Sequence, residues 1–146
     1  MPRPDLSTSD PAGLVGERIA LAVQQPWAEL IVRGLKTIEV RSTRARPRGT
    51  IYIYASRNPS ELPEAAAAIK RHSLSLKDLP RGMVIGEANL VECRPAVPKD
   101  TAASLLGPDR LDDRMAWRFA QPMKFPRPLS PRFVPCGIWF YPFRLR

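Results

Sequence analysis

The spacing of apolar residues changes period several times along the chain, and each change marks an element. Residues 18–23 (RIALAV) form a short dense apolar run that predicts a strand. Pro26 then opens a helix, because the first helical position needs no N–H. Trp27, Leu30 and Ile31 recur on one helical face until Gly34 closes it as a C-terminal cap. Over residues 37–42 the period becomes two, with Ile38 and Val40 on one side and Thr37, Glu39 and Arg41 on the other. Residues 49–55 repeat that pattern more strongly, Ile51 and Ile53 alternating with Tyr52 and Tyr54. Ser60 is placed to cap a second helix, with Glu61 and Glu64 in its first turn and Lys70 and Arg71 at its end, charges that suit the helix dipole. Residues 82–93 give the longest strand pattern, through Val84, Gly86, Ala88 and Leu90. A short helix over 101–106 and strands over 115–119, 123–125 and 133–140 complete a set of about six strands.

Strands dominate, with two helices inserted early and little room for regular crossovers. That order predicts an α+β domain whose sheet closes into a small β-barrel with two to three flanking helices, rather than a βαβ sandwich. Nine of the 17 prolines fall at or after Pro95, which predicts short strands and irregular loops in the last third. No internal repeat is present. Residues 1–16 are rich in Pro, Ser, Asp and Gly without apolar periodicity and read as a flexible arm, leaving residues 17–146 as one domain.

Apolar residues make up 44% of the chain, enough for a core. No apolar stretch approaches the roughly 18 residues of a membrane span. The N-terminus has no charged region followed by an apolar run either, so the default expectation is a cytoplasmic protein with no membrane partner. The net charge of +9, from 23 Lys and Arg against 14 Asp and Glu, favours phosphate-bearing partners, although an Arg-rich proteome alone would also produce it. Its distribution is uneven. Residues 33–48 hold six bases against Glu39 alone, and residues 114–146 hold seven bases and no acid. Cys93 and Cys136 form no CxxC pair and the single His72 lacks neighbours at ligand spacing, so no metal site and no cofactor is expected. Both cysteines read as small core residues rather than a disulfide.

Residues 24–42 (QQPWAELIVRGLKTIEVRS) carry the chemistry. Gly34 lets the chain reverse after the helix, which delivers Lys36 at a turn, and Glu39 and Arg41 share one face of the extended segment that follows. Two cations and one carboxylate therefore converge beside a helix end, suited to phosphate or carbonyl oxygens and to one N–H or hydroxyl donor. An exposed ion-pair cluster closing a helix–strand corner fits the same spacing.

Gly34-x-Lys36-x-x-Glu39-x-Arg41 matches the GxKxxExR signature of the ASCH (activating signal cointegrator homology) domain, and Gln25-Pro26-Trp27-Ala28, Arg48-Gly49, the segments 52–56 and 86–93, Trp117 and Gly137-Ile138-Trp139 resemble its flanks and later strands. The resemblance spans roughly residues 18–143. It implies a PUA-like fold with a cleft beside the signature and a partner that is RNA or a nucleobase-like molecule. Some members resemble metal-independent ribonucleases. Others resemble amidohydrolases acting on N4-acetylcytidine through the signature lysine and a threonine three residues later; here that position is Glu39, which offers no hydroxyl. A third implied role is a protein-interaction module, since the domain resembles part of a eukaryotic transcriptional coactivator.

Several residues are then expected at the ligand. Lys36, Glu39 and Arg41 form the centre, with Lys36 and Glu39 as the catalytic pair if the cleft is enzymatic. Ser42, Arg44, Arg46 and Arg48 are placed to hold backbone phosphates. Tyr54, Ser56, Trp117 and Arg118 complete the set through stacking, hydrogen bonding and charge, with Ser56 and Arg57 ending the tyrosine strand where such barrels open. Trp27 and Trp139 read as core. Oligomeric state is not legible in the sequence.

Overall fold

The computed structural model describes residues 15–145; most of the arm expected over residues 1–16 lies outside the described residues. Six strands, β1 (Ala20–Val23), β2 (Ile38–Arg41), β3 (Gly49–Ala55), β4 (Met83–Pro95), β5 (Met115–Leu129) and β6 (Trp139–Phe140), form one sheet in the order β2-β5-β4-β3-β1-β6. The β1–β3 pair is parallel and the others are antiparallel. Register shifts at Ile53/Tyr54 and at three points between β4 and β5 bend the sheet into a curled half-barrel. Three helices accompany it, α1 (Trp27–Val32), α2 (Pro63–Arg71) and α3 (Thr101–Ser104), giving the α+β, PUA-like architecture.

The period-two pattern decides which side chains lie on which face. Ile51 and Ile53 join Leu21, Val23, Ile85, Leu90 and Trp117 under the buried face of α1. Tyr52 and Tyr54 point to the other face, among Val84, Phe125 and Phe143. There Tyr52 meets Phe143 edge-on at 5.3 Å and its hydroxyl accepts the Val15 N–H at 3.0 Å.

Helix α1 is short and held by side chains. Every residue in it is buried, Glu29 included. Gln25 supplies the N-terminal acceptor, its Oε1 taking the Glu29 N–H at 2.9 Å while its Nε2 donates to the Pro80 carbonyl at 2.8 Å. Pro26 stands one residue before the helix, and its carbonyl accepts the Leu30 N–H at 3.1 Å. The buried Glu29 carboxylate binds Arg33 at 2.6 Å and Lys124 of β5 at 2.5 Å, which ties α1 across the sheet. Gly86 lets this packing close: a Cβ there would lie 2.4 Å from the Met123 carbonyl oxygen and 2.7 Å from Val32 Cγ1.

Four expectations are corrected. Residues 115–129 form one 15-residue strand instead of two short ones, despite Pro122, Pro126 and Pro128. Beyond Arg118 this strand pairs with β4 alone, so a missing N–H costs nothing on its open side. Residues 133–138 are loop, and only Trp139–Phe140 pairs. Helix α2 starts at Pro63 with Leu62 as its N-cap; Ser60 instead accepts the Leu62 N–H at 3.3 Å, ahead of the helix. Cys136 is exposed because it sits in the unpaired loop, whereas Cys93 packs partly buried against the core.

Candidate functional site

Gly34, with φ of +77°, ends α1 in the left-handed conformation that an L-residue adopts reluctantly. The Leu30 carbonyl then accepts two amides, Leu35 N–H at 2.9 Å and Lys36 N–H at 3.0 Å. This clamp turns the Lys36 side chain inward, where it is 1% exposed. Two residues later β2 begins, paired to β5 with Glu39 opposite Trp117 and Arg41 opposite Met115.

The three charged groups form a linked set. Lys36 Nζ donates to the Ser104 carbonyl at 2.5 Å, lies 3.5 Å from Glu39 Oε1 and stands 4.8 Å from the centre of the Trp27 ring. Ser104 ends α3, so its carbonyl has no helical partner of its own. Arg41 Nε donates to Glu39 Oε2 at 2.8 Å and Nη2 to the Ala22 carbonyl at 3.1 Å. Glu39 is 7% exposed. Lys36 and Glu39 are thus buried and Arg41 is partly so, and the surface ion-pair arrangement that also fitted the spacing is not what forms.

Burial is the largest influence on both acid and base. It lowers the Lys36 pKa from its usual 10.5, and the Arg41 charge adds to the lowering while Glu39 opposes it. Burial alone would raise Glu39; the charges and hydrogen bonds of Arg41 and Lys36 outweigh it and hold the carboxyl below its usual value.

Lys36, Glu39 and Arg41 open onto a cleft of about 760 Å³ together with Trp27, Tyr54 and Ser56. Tyr54 and Ser56 are among its lining residues, and neither hydroxyl has a protein hydrogen-bond partner among the described residues. Arg57 and Gln24 stand on its rim, and the loop through Val134, Pro135 and Ile138 roofs it. Val134 is 71% exposed, an apolar residue standing free at the mouth. Five residues singled out from sequence therefore meet in one place: Lys36, Glu39, Arg41, Tyr54 and Ser56.

The others do not. Trp117 is fully buried, stacked on Trp139 at 5.7 Å with its Nε1 donating to the Thr43 carbonyl at 3.0 Å. It backs the site, 5.6 Å behind the Arg41 guanidinium, rather than lining it. Arg118 points outward on β5 and pairs with Glu92 at 2.9 Å, because the alternation that buries Trp117 exposes its neighbour. Ser42 and Arg44 are exposed in the β2–β3 loop, outside the cleft wall. Arg46 and Arg48 line a separate shallow depression with Glu17, Arg18 and Tyr141. The Ala22 and Ser104 carbonyls and the roofing loop were missed. Backbone acceptors leave no trace in sequence, and the roof reads as a strand. No group of three or more His, Cys, Asp or Glu suited to a metal occurs among the described residues, and no helix there is long and apolar enough to cross a membrane.

Comparison with known proteins agrees with this fold and signature. The crystal structure of ASCH from Zymomonas mobilis is similar, with a TM-score of 0.59 at 19% identity over 90% of each chain. A tyrosine-to-phenylalanine mutant of that protein gives a TM-score of 0.57 at 18% identity, over 89% of this chain and 91% of that one. In sequence, human activating signal cointegrator 1 is 35% identical over 80 residues and its mouse counterpart 34%. Those matches cover 50% of this chain but only 14% of the length of each relative. The family model for the ASCH domain matches residues 21–127, from β1 through most of β5, and the chain belongs to the ASCH domain family.

Proposed function

We propose that the cleft binds single-stranded RNA, or a modified nucleobase within it, with Lys36, Glu39 and Arg41 recognising the base. The observation that carries this reading is the buried charge set itself. A lysine and a carboxylate withdrawn from water, with Arg41 partly buried beside them, cost several kcal/mol in desolvation, a cost that surface pairs avoid and functional sites commonly bear. Glu39 keeps lone-pair directions free on both oxygens and suits an exocyclic amine of cytosine or adenine, while Arg41 Nη1 suits a ring carbonyl. Tyr54 and Ser56 add hydroxyls that have no protein partner among the described residues. Outside the cleft, the exposed Arg44, Arg46 and Arg48 would meet flanking phosphates.

A test is equilibrium binding of a mixed single-stranded RNA pool, cytidine and N4-acetylcytidine to the protein and to Glu39→Gln. Saturable binding that weakens at least about tenfold in the variant supports the reading, that loss being one charged hydrogen bond. Equal binding by both proteins would remove Glu39 from the site and the reading with it.

A second reading, catalysis at the same cleft, is favoured by one observation. Burial leaves Lys36 more readily deprotonated than an ordinary lysine, as a general base requires, and Arg41 stands beside it as a cation for developing charge. Loss of RNA integrity or of the acetyl group, with a chelator present and absent in Lys36→Ala, would make this protein an enzyme. Unchanged substrates would leave it a reader.

A further inference from the structure

Beside the cleft, on the far side of Arg57, lies a second cavity of about 420 Å³ whose walls are Arg57, Lys77, Leu79 and Arg81. Arg57 lines both cavities, so the two are neighbours. We infer that this cavity is an anion subsite that takes a phosphate of the ligand whose base occupies the cleft. The inference rests on the reading of the cleft as a nucleobase site and narrows its ligand to a phosphorylated one.

The charge arrangement carries it. Several surface arginines are neutralised by acids, as in Arg110 with Glu64, Arg118 with Glu92 and Arg144 with Glu17. Around the second cavity three exposed cations face one space, and none has an ion-pair partner among the described residues. Asp78, next to Lys77 in the chain, does not line it. Like charges gathered without a counter-charge repel one another, and a bound anion relieves that repulsion.

Held backbone makes the cluster more than a chance meeting of loose side chains. Arg81 Nη1 donates to the Arg57 carbonyl at 3.3 Å, and the Gly82 N–H donates to the Ala55 carbonyl at 2.6 Å. The Gln25 side chain pins Pro80 from the start of α1 at 2.8 Å, so the loop bearing Arg81 is joined to the cleft wall. The Arg57 side chain lies across Gly82, where an added methyl would come within 3.4 Å of its Cγ. Two guanidinium forks and one ammonium suit the tetrahedral oxygens of a phosphate, the forks for paired oxygens and the lysine as a point charge.

Lys77 and Arg81 line only the second cavity, so Lys77→Gln with Arg81→Gln tests it without touching the cleft. Both are exposed, and an unchanged thermal transition confirms folding. Ribonucleosides, their monophosphates and a short single-stranded oligoribonucleotide are titrated at low and moderate salt. The proteins compared are wild type, this double variant, Glu39→Gln, and a charge-matched Lys99→Gln with Arg127→Gln. The expected result is a loss of about tenfold or more for phosphorylated ligands in the double variant, with the slope of log affinity against log salt flatter by about 0.7. Nucleoside affinity stays unchanged. Loss with monophosphates identifies a terminal phosphate as sufficient, and loss with the oligoribonucleotide alone identifies an internal phosphodiester.

Wild-type affinity and slope in the double variant, alongside weak binding by Glu39→Gln, would overturn the subsite and leave the cleft reading standing. An equal loss in the charge-matched control would also overturn it, as a general field effect. So would a double variant that loses phosphorylated ligands while Glu39→Gln keeps them, since the anion site would then be independent of the cleft. If wild type binds neither nucleosides nor RNA, both readings fall together.

Discussion

Glu39 lies between Arg41 at 2.8 Å and Lys36 at 3.5 Å while only 7% exposed, and so depends on both partners for its charge. Glu39→Gln leaves the buried Lys36 and the partly buried Arg41 without their carboxylate, and a loss of about 3 kcal/mol in unfolding free energy at neutral pH is expected. The sign with pH follows from its lowered pKa. The stabilisation is present above the usual 4.5 and is lost as pH falls through the folded value, so the gap between wild type and variant narrows in acid. Denaturant unfolding from neutral pH down to acid checks both. Lys36 has the same sign, at higher pH. Its pKa is lowered, so between the folded value and 10.5 the unfolded chain binds more protons and this group's contribution to stability grows with rising pH. If the cleft turns over substrate, the rate climbs with pH to a midpoint below 10.5, and a pH–rate profile reads it. At this scale the sequence was informative about Lys36, Glu39 and Arg41 because a fixed spacing after a glycine turn fixes where side chains point. It was silent about the Ser104 and Ala22 carbonyls, which reach the site from residues 68 and 19 positions away in the chain.

Among elements, the junction of α1 with β4 and β5 sets the geometry on which the site depends, because α1 ends four residues before Lys36 and its Glu29 reaches Lys124. Gly86→Ala forces a methyl into the Met123 carbonyl oxygen and Val32. Neither is a flexible side-chain tip that swings aside, so a loss of about 3 kcal/mol is expected, read as a lowered denaturation midpoint. The same substitution should weaken RNA binding by displacing α1, without removing any group that touches the ligand. Period-two alternation identified β3 and β4 well, since Ile and Tyr sort cleanly to two faces. It failed on β5, where prolines read as breaks because sequence does not reveal which strand edge lacks a partner. It also failed on residues 133–138, whose apolar character reflects the roof of a cleft and not a pleated pairing.

Over the whole molecule, net charge of +9 predicts a polyanionic partner but cannot say where it lies, because many of the acids among the described residues are spent on particular bases. Subtracting the ion pairs leaves two groups of exposed cations of interest. One is the Arg57, Lys77 and Arg81 cluster that adjoins the cleft; the other is Arg44, Arg46 and Arg48 in the β2–β3 loop, with Arg46 and Arg48 on a depression that shares no lining residue with the cleft. The two groups would act differently on RNA. A base held in the cleft needs only the adjoining cations, so short ligands should be indifferent to the loop. A longer strand leaving the cleft can reach the loop and gain phosphate contacts there. Replacing Arg44, Arg46 and Arg48 together by Gln should therefore leave mononucleotide affinity unchanged and flatten the salt dependence of a long single strand by about 2 in slope, roughly 0.7 for each phosphate released. Anisotropy titrations across oligoribonucleotides of increasing length measure this directly. A slope unaltered at every length would restrict RNA contact to the cleft and its neighbour. A loss already complete with a mononucleotide would mean that the loop folds over the bound base, which its separate depression argues against.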